Sequence, residues 1–113
     1  MADIDRFVEE TRKTCNAEYE GEFGHKDVEL LYAAAALGGE AGELQNMIKK
    51  IFRYKYYTKG HKPDDLYKDL PQEIADVLYY LCRIADVLEI DISKAFEEKM
   101  RVNRERYVSS GKA

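Results

Sequence analysis

The sequence predicts an all-α fold in which four helices form a bundle-like single domain over residues 1–113. Apolar residues recur at the i, i+3, i+4, i+7 spacing of amphipathic helices, and no segment alternates convincingly with period two. Proline occurs only at positions 63 and 71, so most of the chain lacks a helix breaker. The length of 113 residues and the hydrophobic content of 45% suit one globular core.

Short polar residues mark where three of these helices begin. Asp3 is a candidate N-cap for a first helix of about 15 residues, and Asp91 is a candidate N-cap for the fourth. Residues 58–65 (TKGHKPDD) form the clearest loop, and the two aspartates that end it can cap the third helix. We expect the third helix to begin between Leu66 and Pro71.

The second helix is expected to run from about Lys26 into the fifties, because its apolar residues form one long stripe. At about 1.5 Å per residue it would be roughly 40 Å long. Gly38, Gly39 and Gly42 are its weak point, since each costs about 1 kcal/mol relative to alanine within a helix. We expect a continuous helix whose missing side chains admit a neighbouring backbone or a ligand; a break at Gly38 is the alternative.

The third and fourth helices carry the remaining apolar faces, and helices 2 and 3 are expected to pack as an antiparallel pair. Residues 108–113 are expected to form a frayed tail. The predicted core face of the third helix comprises Ile74, Val77, Leu78, Leu81, Ala85 and Leu88. The predicted inward face of the fourth comprises Ile92, Ala95, Phe96, Met100, Val102 and Tyr107.

Charge and composition exclude several classes of partner. The net charge is -4, so attraction of the whole molecule to nucleic acid polymers or anionic membranes is not expected. No apolar run approaches the roughly 18 residues of a membrane span, and no signal peptide is recognisable, so we expect a cytoplasmic protein. Cys15 and Cys82 have no ligand-spaced partners, which favours two small core residues over a disulfide or a zinc site.

Two pairs of acidic residues form the main candidate site. Glu40 and Glu43 are three apart on helix 2, and Glu73 and Asp76 are three apart on helix 3, so each pair shares one helix side. A single such pair is common on solvated helices, but both pairs here border apolar stripes. If they converge, two like charges about 4 Å apart repel by about 4 kcal/mol at an effective dielectric of 20. An all-oxygen cluster of this kind favours Mg²⁺, or Mn²⁺, over zinc, copper or iron.

Cationic residues occur in two places that suit a triphosphate. Residues 44–63 contain no acid but six basic residues, of which Lys50 is a candidate for phosphate contact. On helix 4, Lys99, Asn103 and Arg106 share a face, and the amide of Asn103 could bind a base or a phosphate oxygen. A solvated basic helix end explains most of the other lysines equally well.

One aromatic residue is a candidate for the same pocket. Tyr80 lies one turn beyond Asp76, so its ring could form a wall beside the acids. The other tyrosines are expected to pack at bundle or oligomer surfaces. His25 and His61 have no partner at metal-ligand spacing, and we expect no direct role for either.

Three segments together carry a family resemblance that spans about residues 28–107. LLYAAAALGGEAGELQNMIKK, LPQEIADVLYYLCRIADVLEIDI and KMRVNRERY resemble the MazG-like nucleoside triphosphate pyrophosphohydrolases. The family pattern of Glu-x-x-Glu followed by Glu-x-x-Asp is matched by Glu40, Glu43, Glu73 and Asp76. An Asn and a basic residue follow on the last helix.

The resemblance implies an oligomeric MazG-type fold and a defined reaction. Members cleave a nucleoside triphosphate between the α and β phosphates, use Mg²⁺ held by these acids, and are usually dimers or dimers of dimers. Glu43, Glu73 and Asp76 are then the preferred metal ligands, and Glu40 is either a ligand or the general base. The substrate-binding candidates are Lys50, Tyr80, Lys99, Asn103 and Arg106.

Two other functions are alternatives to this one. A di-iron carboxylate bundle relies on Glu-x-x-His motifs, and the sequence contains none. A non-catalytic helical oligomer, or a module that binds a partner helix, would explain the apolar stripes and the tyrosines without using the acids.

Overall fold

The computed structural model describes residues 3–19, 26–57, 64–109 and 111. Four helices occupy these ranges: α1 (Ile4–Tyr19), α2 (Lys26–Tyr57), α3 (Asp64–Val87) and α4 (Ile92–Ser109). No strand occurs in the ranges described. The all-α prediction with four helices is therefore confirmed.

The first helix begins at the predicted cap. The Oδ1 atom of Asp3 accepts a hydrogen bond from the backbone N–H of Arg6 at 2.9 Å, which satisfies one of the open donors of the first turn. One turn further on, the hydroxyl of Thr11 donates to the carbonyl of Phe7 at 2.8 Å. Because its hydroxyl is satisfied within the helix, Thr11 can be buried against the neighbouring helix.

The second helix is continuous through its three glycines, so the alternative of a break at Gly38 is wrong. Its 32 residues correspond to about 48 Å. A Cβ atom at Gly38, Gly39 or Gly42 would meet nothing within 4 Å. No neighbouring backbone of the described residues therefore uses the space at these glycines, contrary to that part of the expectation.

The third helix begins earlier than predicted. It starts at Asp64, and Pro71 lies inside it rather than in its first turn. Proline cannot donate the hydrogen bond to the preceding turn, and its ring crowds the carbonyl four residues earlier, so Pro71 carries a local cost inside α3. Packing of this helix along α2 outweighs that local cost.

A tight turn connects α3 to α4. The N–H of Ile90 donates to the carbonyl of Ala85 at 2.9 Å, and the N–H of Glu89 donates to the carbonyl of Asp86 at 3.1 Å, which is the Schellman arrangement. Glu89 occupies the left-handed position of this motif with φ 56°. Asp91 then caps α4 as predicted, since its Oδ1 accepts from the N–H of Lys94 at 3.1 Å.

The central packing unit is the pair α2 and α3, against which α1 packs on the α3 side. Ala33, Ile51, Cys82 and Ala85 are buried at these contacts, so Cys82 is the core residue that was predicted. The side chain of Cys15 lies outside the described residues. Arg12 links α1 to α3 by donating from Nε to Oδ1 of Asp86 at 2.7 Å, with Nη2 at 2.5 Å from the same oxygen.

The fourth helix packs differently from the bundle that was expected. Its main contact is with α1, where the hydroxyl of Ser93 donates to Oδ1 of Asp5 at 2.8 Å. Phe96 and Tyr107, predicted to face inward, are 61% and 58% exposed. The prediction for these two residues is wrong within one protomer, because α4 leaves the α2–α3 pair after the turn that joins it to α3.

The predicted core face of α3 is also only partly covered. Ala85 is buried, and Val77 and Leu78 are half-buried, whereas Ile74, Leu81 and Leu88 are exposed. The described residues of α1 and α2 cover part of the stripe and leave Ile74, Leu81 and Leu88 41–54% exposed. The stripe was correctly located, but a single chain does not bury all of it.

The protomer is extended for its length. Its radius of gyration is 18.0 Å, compared with about 13 Å for a compact chain of this size. Its accessible surface is 8687 Å², compared with about 6,400 Å² for a compact monomer of this mass. Several large apolar side chains, among them Leu31, Phe52 and Phe96, lie exposed on this surface.

Some predictions fall outside the described residues. These are the loop at 58–63, both histidines, and three of the six residues of the predicted tail; the tail prediction is wrong at 108 and 109, because α4 continues to Ser109. Within the described ranges, none of the helices combines the length and apolar character needed to cross a membrane.

Candidate metal centre

The acidic centre lies where α2 and α3 pack together. Glu40 comes from α2, whereas Glu73 and Asp76 lie three residues apart on one side of α3. One carboxylate oxygen from each residue lies within 4.8 Å of the corresponding oxygens of the other two. The helix pairing thus brings Glu40 to two acids that lie 33 and 36 positions further along the sequence.

Two oxygens of this centre are buried and lack a partner. The Oε2 atoms of Glu40 and Glu73 are removed from solvent and accept no hydrogen bond from the described residues. Buried polar atoms are nearly always satisfied in proteins, and an unsatisfied charged oxygen is particularly costly. A cation bound between α2 and α3 would satisfy both atoms.

The crowding of negative charge in this centre changes the pKa values of two of its acids. The pKa of Glu40 is raised, first by burial and then by the charges of Glu43 and Asp76. The pKa of Glu73 is raised by burial and by the same two neighbours, with Asp69 adding to the effect. Without a cation, binding of protons by Glu40 and Glu73 relieves the repulsion among these carboxylates.

Glu43 adjoins the other three acids from a more exposed position. The negative charge of Glu43, and a hydrogen bond between carboxyl groups, raise the pKa of both Glu40 and Glu73. The centre therefore contains Glu40, Glu73 and Asp76 as a close group with Glu43 beside them. Carboxylate oxygens alone make up this set, and such sets suit Mg²⁺ or Mn²⁺.

Two of the predicted substrate-binding residues lie on the same helices as the acids. Tyr80 is half-buried one turn after Asp76, and its ring meets that of Tyr79 edge-on at 5.0 Å between centroids. Lys50 is exposed on α2, seven residues beyond Glu43 and therefore about 10 Å further along the helix axis.

The remaining three candidates lie on α4. Lys99 and Arg106 are exposed, and Asn103 is half-buried in a shallow groove formed with Met100 and Tyr107. Because α4 packs mainly against α1, the fold of one protomer does not bring these three residues to the acids on α2 and α3.

Sequence reasoning missed one residue of this helix pair. Arg83 on α3 is 1% exposed, and its guanidinium carbon lies 5.3 Å from the ring centroid of Tyr32 on α2. The available signal was its spacing, since Arg83 follows Asp76 by seven residues and so lies on the same side of α3. A basic residue at a position facing the interior of a helix pair is uncommon unless it has a specific contact.

Comparison with known proteins assigns the chain to a family. Residues 29–108 match the MazG nucleotide pyrophosphohydrolase domain. The chain belongs to this family, and it is accordingly a nucleotide pyrophosphohydrolase with the all-α fold class that the sequence predicted. The family assignment favours an enzyme over a purely structural helical module.

Two curated relatives support the assignment. Gene 37 protein of Mycobacterium phage L5 is 33% identical over 85 residues, which cover 73% of this chain and 72% of the phage protein. A protein of Mus musculus named dCTP pyrophosphatase 1 is 35% identical over 94 residues, or 80% of this chain. The chain spans about half the length of the mouse protein, since the match covers 51% of it.

Proposed function

We propose that the protein hydrolyses a nucleoside triphosphate, with Mg²⁺ bound, to the nucleoside monophosphate and pyrophosphate. The observation that carries this proposal is the convergence of Glu40, Glu73 and Asp76, with two buried oxygens that need a cation. The family assignment supports the class of reaction. Both deoxyribo- and ribonucleotides are candidate substrates, and the name of the mouse relative makes dCTP the first to test.

The four acids are the residues that would hold the ion. Glu43, Glu73 and Asp76 are the preferred ligands by the family pattern, and Glu43 lies beside the close group that Glu40, Glu73 and Asp76 form. Mg²⁺ at this position would polarise the phosphate oxygens and lower the pKa of a coordinated water; Mn²⁺ is a chemically similar substitute. No His or Cys is needed for this chemistry.

Glu40 is proposed as a ligand or as the general base. Burial and neighbouring charges raise its pKa, which makes the carboxylate a better proton acceptor than an exposed glutamate. In the base role its carboxylate accepts a proton from the water that attacks the α phosphorus. The bond from that phosphorus to the bridging oxygen breaks, and pyrophosphate leaves with the bonding electron pair.

Cationic and aromatic residues complete the proposed site. Lys50 lies within reach of a phosphate chain that extends from the acids along α2. Tyr80 supplies a ring at the edge of the centre. Lys99, Asn103 and Arg106 are proposed to contact phosphate or sugar.

A second copy of the chain is proposed to bring the α4 residues to this site. In one protomer α4 packs against α1, and its apolar residues Phe96 and Tyr107 remain exposed. The surface in excess of a compact monomer is larger than the roughly 800 Å² per partner that a stable dimer buries. A homodimer or homotetramer in the cytoplasm, with no nucleic acid polymer or membrane as partner, is the proposed working form.

Product analysis in ¹⁸O-labelled water tests the reaction. Attack at the α phosphorus places the label in the nucleoside monophosphate and leaves pyrophosphate unlabelled. A panel of ribo- and deoxyribonucleoside triphosphates, with and without Mg²⁺, identifies the substrate in the same assay. Label in pyrophosphate would move the attack to the β phosphorus, and stoichiometric orthophosphate without a pyrophosphatase would contradict the proposal.

A further inference from the structure

A buried cation and an aromatic ring join α2 to α3 at a distance from the acids. The guanidinium carbon of Arg83 lies 5.3 Å from the ring centroid of Tyr32, within the range of a cation–π contact. Arg83 is 1% exposed and Tyr32 is 37% exposed. Because the arginine is removed from water, its attraction to the ring is stronger than at an exposed site.

This contact and the acidic centre belong to the same helix interface. Tyr32 precedes Glu40 by eight residues on α2, and Arg83 follows Asp76 by seven residues on α3. The two spacings correspond to about 12 Å and about 10 Å along antiparallel helices, in the same direction from the centre. The Tyr32–Arg83 contact therefore lies to one side of the acidic centre, about two turns away along both helices.

The α2 surface between these points provides little else that would fix how far α2 is displaced along α3. Among residues 33–39 of α2, only Ala33, Ala36 and Leu37 are removed from solvent to any extent, and Leu37 is the one larger side chain of the three. Side chains that interdigitate across a helix pair set its packing, and alanine provides almost none. Packed helices can shift past each other by one turn, which is about 5.4 Å. Such a shift exceeds the 4.8 Å within which the oxygens of the acidic centre lie.

We propose that Tyr32 and Arg83 are positioning residues that set the register of α2 against α3 and thereby assemble the metal centre. The inference rests on the proposed metal-binding function of the acids. It assigns to these two residues a role in metal affinity, although neither contacts the ion. The cation over the ring is a directional contact, whereas apolar side chains at the same positions would pack in more than one register.

Mn²⁺ affinity of the nucleotide-free protein, measured by electron paramagnetic resonance, tests this role separately from catalysis. Tyr32→Leu and Arg83→Met each remove one partner and are expected to weaken Mn²⁺ binding at least tenfold. Tyr32→Phe and Arg83→Lys keep the ring and the positive charge, and they are expected to stay within about threefold of wild type. Tyr56→Leu and Arg6→Met make the same chemical changes on exposed surfaces and serve as matched controls.

The outcomes separate this inference from the proposed function. Failure of the wild-type protein to bind Mn²⁺ would contradict the metal centre itself. Wild-type Mn²⁺ affinity in folded Tyr32→Leu and Arg83→Met proteins would overturn the positioning role, even if their melting temperatures were lower. If either single variant loses its helicity, the double variant Tyr32→Leu, Arg83→Leu removes the buried charge together with its partner and should fold. Weak Mn²⁺ binding is expected there, and wild-type affinity in that protein would also overturn the role.

Discussion

Glu40 on α2 and Glu73 on α3 direct buried Oε2 atoms into the same acidic centre, and neither atom has a hydrogen-bond partner among the described residues. The packing of α2 against α3 thus places repelling negative charges near the middle of both helices. Such local destabilisation is typical of functional sites, where binding a ligand relieves it. The protein is expected to be less stable without a divalent cation than with one.

Neutralising Glu40 should have opposite effects on stability and on metal binding. Glu40→Gln removes a charge that is repelled by Glu43 and Asp76, so chemical denaturation of the metal-free protein should give a higher free energy of unfolding. The same variant should bind Mg²⁺ more weakly by calorimetry. Glu97→Gln makes the same change on the exposed surface of α4 and should alter neither quantity. A less stable metal-free Glu40→Gln protein would contradict the repulsion.

The pH dependence of stability should have an unusual sign in the metal-free protein. Because the pKa values of Glu40 and Glu73 are raised above 4.5, the folded state binds more protons than the unfolded state between pH 4.5 and the folded pKa. The contribution of these two acids to stability is therefore present below pH 4.5 and is lost as the pH rises through that interval. Denaturation of wild type and Glu40→Gln across this range measures it. Mg²⁺ affinity should increase over the same interval, since protons compete for the ligand oxygens.

Neutralising Glu43 or Asp76, two of the three preferred ligands, should abolish turnover without unfolding the helices. Glu43→Gln and Asp76→Asn keep the side-chain size but remove a charged oxygen that the ion requires. We expect pyrophosphate release to fall at least a hundredfold while circular dichroism remains unchanged. Glu9→Gln, on the exposed side of α1, is the control and should retain full activity. Near-wild-type rates in both site variants would rule out the assignment of the centre.

The proposal that α4 of one copy completes the site of another copy can be tested by mixing two inactive proteins. If one chain supplies the acids and its partner supplies Asn103, then co-refolding Glu43→Gln protein with Asn103→Ala protein creates one intact site in each mixed dimer. Random pairing should restore about one quarter of wild-type activity. Sedimentation at micromolar concentration should show a dimer or a larger assembly. Continued inactivity of a demonstrated mixed dimer would indicate that α4 acts within its own chain.

The turn between α3 and α4 offers a stability prediction remote from the site. Glu89 has φ 56°, a conformation that is strained for residues with a Cβ atom and free of strain for glycine. Glu89→Gly should therefore raise the free energy of unfolding by about 0.5–1 kcal/mol, as measured by urea denaturation. Glu89→Ala keeps the Cβ atom and should not stabilise. Equal stability of the two variants would show that the backbone of this turn is not strained.

Features of the sequence that act locally were sufficient to predict the helices and their caps. Asp3 and Asp91 cap helices because a short side-chain oxygen reaches the N–H group three residues later, which depends only on neighbouring residues. The same reasoning placed Glu73 and Asp76 on one side of α3, since a helix repeats every 3.6 residues. It failed at Pro71, where packing along α2 outweighed the local preference for a helix start.

The composition of the acidic centre could be predicted from two motifs, but its geometry depends on tertiary packing. Spacing shows that Glu40 and Glu73 each lie beside an apolar stripe; only the register of α2 against α3 decides that their oxygens approach each other. Arg83 has no local signal beyond its position on α3, because its burial depends on how the other helices pack against α3. Contacts between distant residues depend on the relative placement of whole helices, which short-range periodicity does not specify.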